Sequence, residues 1–297
     1  MTEVAQGVHA IPLPIAEEGG REPPQVYWIV GSDRGALIDV GYGDDTRSRE
    51  FRDSWVGLTA GLPSLPQPPL LLLTDHYGEH VDGAKAFKTM TDAQVALGSR
   101  DVETVRSSTG DDSLIDIRLE GGEEFDLGGG KRVVAVPTPG HAPGSISFLL
   151  RDEGILFTGD FILGTDTSTT INSESGGDMA DHVTSLHRVR EFDLKLVLSF
   201  HGPPVTDPAS RIDWLLDRRK ERENQVLALL NEGLREVDAI RDRMYEGLAD
   251  GLRDAARHQI VANLAKLVSE GRAREVKSGH VYGSVPPVRR NHDRQPS

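Results

Sequence analysis

The chain has 297 residues, enough for one large domain or for one domain with a smaller appendage. Its apolar runs, such as residues 69–73 and 155–157, are far too short to span a bilayer, and the start MTEVAQGVHAIPLP lacks the basic opening and apolar stretch of a signal peptide, so a cytoplasmic location without membrane partners is expected. With no cysteine there are no disulfides or thiolate ligands, and a net charge of −14 opposes nucleic acid as the main partner.

Taken in chain order, residues 8–13, 26–30 and 36–40 read as strands, the last two joined by the turn Gly31-Ser32-Asp33-Arg34-Gly35. A proline-rich linker over 62–69 leads into a buried strand over 70–74. A helix is expected over 83–90 and a strand over 94–97, with further strands over 115–119, 132–137, 145–150, 154–158 and 196–199. Short strands with interspersed helices predict an α/β sandwich built around two sheets. Beyond Asp207-Pro208 the apolar spacing changes to a helical period, with helices over 211–231, 237–245 and 258–268 and a hairpin over 272–282. Helices followed by a hairpin predict a small winged-helix-like unit. The expected division is 1–206, 207–285 and a disordered basic tail over 286–297.

Four segments place potential metal ligands just after a strand. The first is LLLTDHYGEHVDGA over 71–84, where an apolar run ends in Asp75, His76, Tyr77, Glu79, His80 and Asp82. The others present His141 in Thr-Pro-Gly-His-Ala-Pro-Gly-Ser, Asp160 in Leu-Phe-Thr-Gly-Asp-Phe, and His201 in Val-Leu-Ser-Phe-His-Gly-Pro-Pro. Any one of these alone reads as a surface histidine or a turn aspartate. Together, at strand ends that converge on one edge of a sandwich and are held by Gly and Pro turns, they describe a metal centre. His182 and His187 are expected to be exposed on a helix, Trp28, Trp55 and Trp214 to lie in the core, and Phe200 to pack there too.

In this order and spacing the motifs resemble the metallo-β-lactamase superfamily over about residues 5–205, with Ala-Leu-Ile-Asp-Val-Gly at 36–41 as a further landmark. The helical end is similar to a branch of lactamase-β-like proteins, some of them endoribonucleases. The resemblance implies an αββα sandwich with a C-terminal winged-helix-like domain. It also implies a signature Thr-His-x-His-x-Asp-His, which aligns here without a gap as Thr74-Asp75-His76-Tyr77-Gly78-Glu79-His80. The first metal position would then hold Asp75, Tyr77 and His141, the second Glu79, His80 and His201, with Asp160 bridging and Asp39 supporting the loop. Two of the three first-position imidazoles are missing.

A phenol with a pKa of about 10 is a poor ligand at neutral pH, and a short carboxylate reaches less far than an imidazole. Three arrangements follow: one metal on Glu79, His80, Asp160 and His201; a carboxylate-rich pair using Asp75, His141 and Asp160 as well; or a metal-free descendant. Zinc is the first expectation for one or two divalent ions, with iron or manganese the others. Glu79, Asp75 and Tyr77 are the expected catalytic residues. The expected activity is hydrolysis of an ester, thioester, lactone, amide or phosphodiester of a small molecule by a metal-activated water. A binding module without activity and nuclease-like RNA processing are the alternatives. The C-terminal helices read as a lid or a homodimer surface rather than a nucleic-acid contact.

Overall fold

Alternation of side chains along the strands assigns the layers. In β3 (Gln25–Val30), Val26 and Trp28 enter one buried cluster while Tyr27 and Ile29 enter another, as the two-residue period of a strand requires. The computed structural model describes residues 1–13, 23–43, 49, 53, 65–277 and 281–285. Within these the chain forms two compact units, Met1–Thr169 with Gly176–Leu216, and Thr170–Ser175 with Asp217–Ser297.

In the first unit β1 (Thr2–Ala5), β2 (Val8–Pro12), β3, β4 (Gly35–Ile38), β5 (Leu70–Leu72), β6 (Gln94–Gly98) and β7 (Ile117–Leu119) form one sheet in sequential order. The pairs from β1 to β4 are antiparallel and those from β4 to β7 parallel. A second sheet runs β12-β11-β10-β9-β8, from β8 (Glu124–Gly128), β9 (Lys131–Pro137), β10 (Ile146–Leu150), β11 (Ile155–Phe157) and β12 (Leu196–Leu198). Its pairs are antiparallel except β11 with β12.

The sheets bury Ile29, Ile38, Leu72, Ala135, Phe148 and Phe157 between their inner faces. The outer face of the first sheet supplies Trp28, Leu71 and Val95, which cluster with Phe87 of α2 (Ala84–Thr91) and Val105 of α3 (Val102–Thr109). The outer face of the second supplies Leu156 and Val197, which cluster with Leu186 and Val189 of α4 (Met179–Arg190) and with Ile212 and Leu215. This is an αββα sandwich, a layered solution that leaves neither apolar sheet face wet. The short α1 (Gly78–Val81) lies in the loop after β5.

The second unit takes the later part of α5 (Pro208–Asn231), with α6 (Val237–Met244), α7 (Arg253–Ser269) and the hairpin of β13 (Ala273–Lys277) and β14 (Val281–Ser284). Its own core joins Val226, Leu230, Val237, Ile240, Ile260, Leu264 and Tyr282. Helices closed by an antiparallel hairpin form a winged helix. No helix among the described residues is long and apolar enough to cross a membrane.

Besides the single-turn α1, three elements were not anticipated. β1 has only four residues, β8 carries just Phe125 and Leu127 as apolar residues, and α3 (VETVRSST) is rich in Ser and Thr and buries only two valines. Strand β7 begins at Ile117 rather than 115. His182 is fully buried, not exposed: a Cβ on Gly140 would stand 2.4 Å from it, and its ring meets the ring of Phe161 edge-on at 5.2 Å. His187 is exposed as expected. Trp214 is 37% exposed rather than core, with the Arg211 guanidinium 4.5 Å above its ring. Trp55 and the tail over 286–297 lie outside the described residues.

Candidate metal centre

The expected ligands leave the C-terminal ends of β5, β9, β11 and β12. Beyond β5, Thr74 is tied to Asp39 through its backbone N–H (2.8 Å) and its hydroxyl (2.9 Å). Asp39 reaches inward because its backbone takes a left-handed conformation, φ 57°, which Asp tolerates better than most residues. The chain then turns at Asp75, whose Oδ1 accepts from Tyr77 N at 2.9 Å, and α1 presents Glu79 and His80. From β11, Asp160 follows Gly159, where φ is +50° and a Cβ would sit 2.2 Å from Thr74 Oγ1. Only glycine lets these two loops approach so closely. From β12, Phe200 N donates to Gly159 O at 3.0 Å and so fixes His201 beside Asp160.

Ligand atoms of Glu79, His80 and Asp160 lie within 4.8 Å of one another. His201 Nε2 stands 3.5 Å from Glu79 Oε2 and 3.9 Å from Asp160 Oδ1. His141 Nε2 approaches the other oxygen, Asp160 Oδ2, at 3.9 Å, while its Nδ1 lies 3.1 Å from Thr169 Oγ1. His80 Nδ1 lies 2.9 Å from Asp39 Oδ2, which leaves its Nε2 facing the cluster. An imidazole held at one nitrogen by a carboxylate is the usual way a metal-binding tautomer is fixed.

Among the described residues, His80 Nε2 and Asp160 Oδ1 are buried without a hydrogen-bond partner. Buried polar atoms are nearly always satisfied, and leaving one bare costs about 1–3 kcal/mol. A nitrogen and an oxygen left bare in one cluster of His and carboxylates fit a divalent cation. The charges are arranged to match. Burial works against the ionised form of Glu79, yet the hydrogen bond with His201 and nearby His80 lower its pKa to about 2. Burial likewise opposes the imidazolium of His80, but Asp75 and Asp39 outweigh it and raise its pKa well above the ordinary value. For Asp75 burial dominates and raises the pKa.

The first-position residues behave differently. Asp75 is buried, with one oxygen used by Tyr77 N and the other 3.7 Å from His80 Nε2. The Tyr77 ring lies 4.6 Å from the ring of His76 and 4.9 Å from that of His141, so a file of three rings occupies this side of the site. His76 faces away from the cluster, with Nδ1 3.0 Å from Oδ2 of the fully buried Asp101, whose Oδ1 accepts from Gly144 N. Phe200 is buried as expected and its ring lies 4.2 Å from that of His80. Tyr42, Asp101 and Thr169 were not singled out in the sequence. Only Tyr42 had a local signal, as the bulky residue of Gly-Tyr-Gly just past Asp39.

The fold and this cluster define a class, and comparison with known families identifies it. A model of the metallo-beta-lactamase superfamily matches residues 19–229, and the chain belongs to that superfamily. Its C-terminal unit is matched over residues 237–287 by the beta-lactamase associated winged helix domain. A Drosophila melanogaster protein named beta-lactamase-like protein 2 homolog is 28% identical over 221 residues, covering 70% of this chain and 71% of its own. An atrochrysone carboxyl ACP thioesterase from Aspergillus fumigatus is 26% identical over 209 residues, covering 69% of this chain and 59% of its own. A crystal structure of a beta-lactamase domain protein from Burkholderia ambifaria superposes with a TM-score of 0.81 at 18% identity, covering 96% of this chain and 93% of that one.

Proposed function

We propose that the chain is a metal-dependent hydrolase with one divalent ion, zinc before iron or manganese, held by Glu79, His80, Asp160 and His201. The observation that carries this reading is the pair of bare buried atoms, His80 Nε2 and Asp160 Oδ1, within the cluster. A divalent cation supplies, when bound, the Lewis acidity that lowers the pKa of water and polarises a carbonyl or phosphoryl group. The chain's own part is positional. Asp39 fixes the His80 tautomer, and Glu79, ionised by its neighbours, draws His201 into the cluster. Asp75 stands 3.7 Å from His80 Nε2 rather than serving as a further clustered ligand, and Tyr77 forms the wall beside His141.

A small thioester or ester is the substrate class proposed first, supported by a relative whose name is that of an acyl carrier protein thioesterase. Elemental analysis of fresh protein, with hydrolysis assays on thioester, ester, lactone and phosphodiester panels after adding Zn, Mn or Fe(II), tests the reading. One ion per chain and activity lost in His80→Ala are expected. No metal uptake and no hydrolysis on any panel would overturn it, and two ions per chain would favour the dinuclear arrangement. A second reading, a binding module without turnover, is favoured by the three-ring file at the first position. It predicts that substrate analogues bind equally well with or without metal.

A further inference from the structure

The superfamily signature calls for Asp at position 79, and this chain has the longer Glu. The hydroxyl of Tyr42 donates to Glu79 Oε2 at 3.0 Å, the same oxygen that lies 3.5 Å from His201 Nε2. Resting on the metal-site reading above, we propose that Tyr42 is a positioning residue that holds the longer Glu79 side chain in its metal-binding conformation. An unsupported Glu has one more rotatable bond than Asp and loses more side-chain entropy when it is fixed. A hydrogen bond from a phenol to an ionised carboxylate offsets that loss and selects one rotamer.

The backbone around Tyr42 is built to deliver this contact. Val40 N donates to His80 O at 3.1 Å and Gly83 N to Gly41 O at 3.0 Å, so the strand exit is strapped twice to the C-terminal end of α1. Gly41 sits at φ +81°, where a Cβ would also strike Leu13 at 2.8 Å. On the other side a Cβ on Gly43 would stand 2.6 Å from Asp82 O. The two glycines let the chain run against the ligand helix, and the one side chain between them points its hydroxyl at Glu79. Asp39 and Tyr42, three residues apart, thus support the consecutive ligands His80 and Glu79.

The test measures zinc affinity of the full chain by competition with a chromophoric chelator. Tyr42→Phe is expected to weaken binding by about tenfold or more, the range found when a hydrogen-bond partner of a ligand is removed. Glu79→Asp alone should weaken it comparably, because the shorter carboxylate surrenders the same hydrogen bond. In the Glu79→Asp background, Tyr42→Phe should then cost less than about twofold. Wild-type affinity in Tyr42→Phe, affinity in Glu79→Asp equal to or above wild type, or equal losses in both backgrounds would each overturn the proposal. A wild-type chain that binds no metal overturns the hydrolase reading together with this one. Metal binding that is indifferent to Tyr42 overturns this one alone.

Discussion

Asp39 makes three hydrogen-bond contacts from one left-handed residue, to Thr74 N, Thr74 Oγ1 and His80 Nδ1. Asn has nearly the same shape and also tolerates that backbone, so Asp39→Asn isolates the charge. It is expected to destabilise the fold by about 1–3 kcal/mol in urea unfolding and to weaken metal binding roughly 10–100-fold. Gly159→Ala tests the loop approach rather than the charge. With φ +50° and a Cβ 2.2 Å from Thr74 Oγ1, it should cost about 2 kcal/mol or more and show as a lowered melting temperature. At this scale the strand-end placement of the candidate residues was legible, because Gly and Pro turns after apolar runs mark where a side chain is pinned. Asp101, Thr169 and Tyr42 were not, since each reaches its partner across a sequence gap of 25 to 37 residues or belongs to another loop.

Among the elements, Phe148 of β10 is fully buried between the two sheets, and Phe148→Ala is expected to cost about 3–5 kcal/mol of unfolding free energy in denaturant titration. In the second unit Glu223 is paired with Lys266 and Arg272, and Glu270 with the same two cations. Burial alone would raise the pKa of Glu270, but hydrogen bonds from Lys266 and Arg272 hold it below its ordinary 4.5. A carboxylate with a depressed folded pKa contributes stability that is present above 4.5 and is lost as pH falls through the folded value. The melting temperature should therefore fall below about pH 4.5, and Glu270→Gln should flatten that fall in a calorimetric pH series. The long helices and the final hairpin were readable from period and turn chemistry. β1, β8 and α3 were not, because each offers too few apolar residues for a period to emerge and is held by its neighbours instead.

For the molecule as a whole, the two-sheet sandwich was legible because short, continuous apolar strands such as β5 and β12, interspersed with helices, call for cover on both faces. The register of the fourteen strands among the described residues depends on contacts that no local pattern encodes. The acidic balance, 47 Asp and Glu against 33 Lys and Arg, carries a further expectation. Binding to phosphate backbones is driven by counterion release at clustered cations. Fluorescence anisotropy with single-stranded RNA or duplex DNA at physiological salt should thus show no micromolar complex, whereas a complex with a steep salt dependence would favour nucleic-acid processing.

The 24-residue helix α5 has a consequence for how this chain can be inherited or rearranged. Its early turns give Ile212 and Leu215 to one core and its later turns give Val226 and Leu230 to another. A break before it strips the sandwich of two buried residues. A break at Asp217 opens the winged helix on a bare helical end with its first N–H groups uncapped. The two units are therefore not interchangeable cassettes: recombination that swaps one for another must carry the whole helix and match the core at each of its ends.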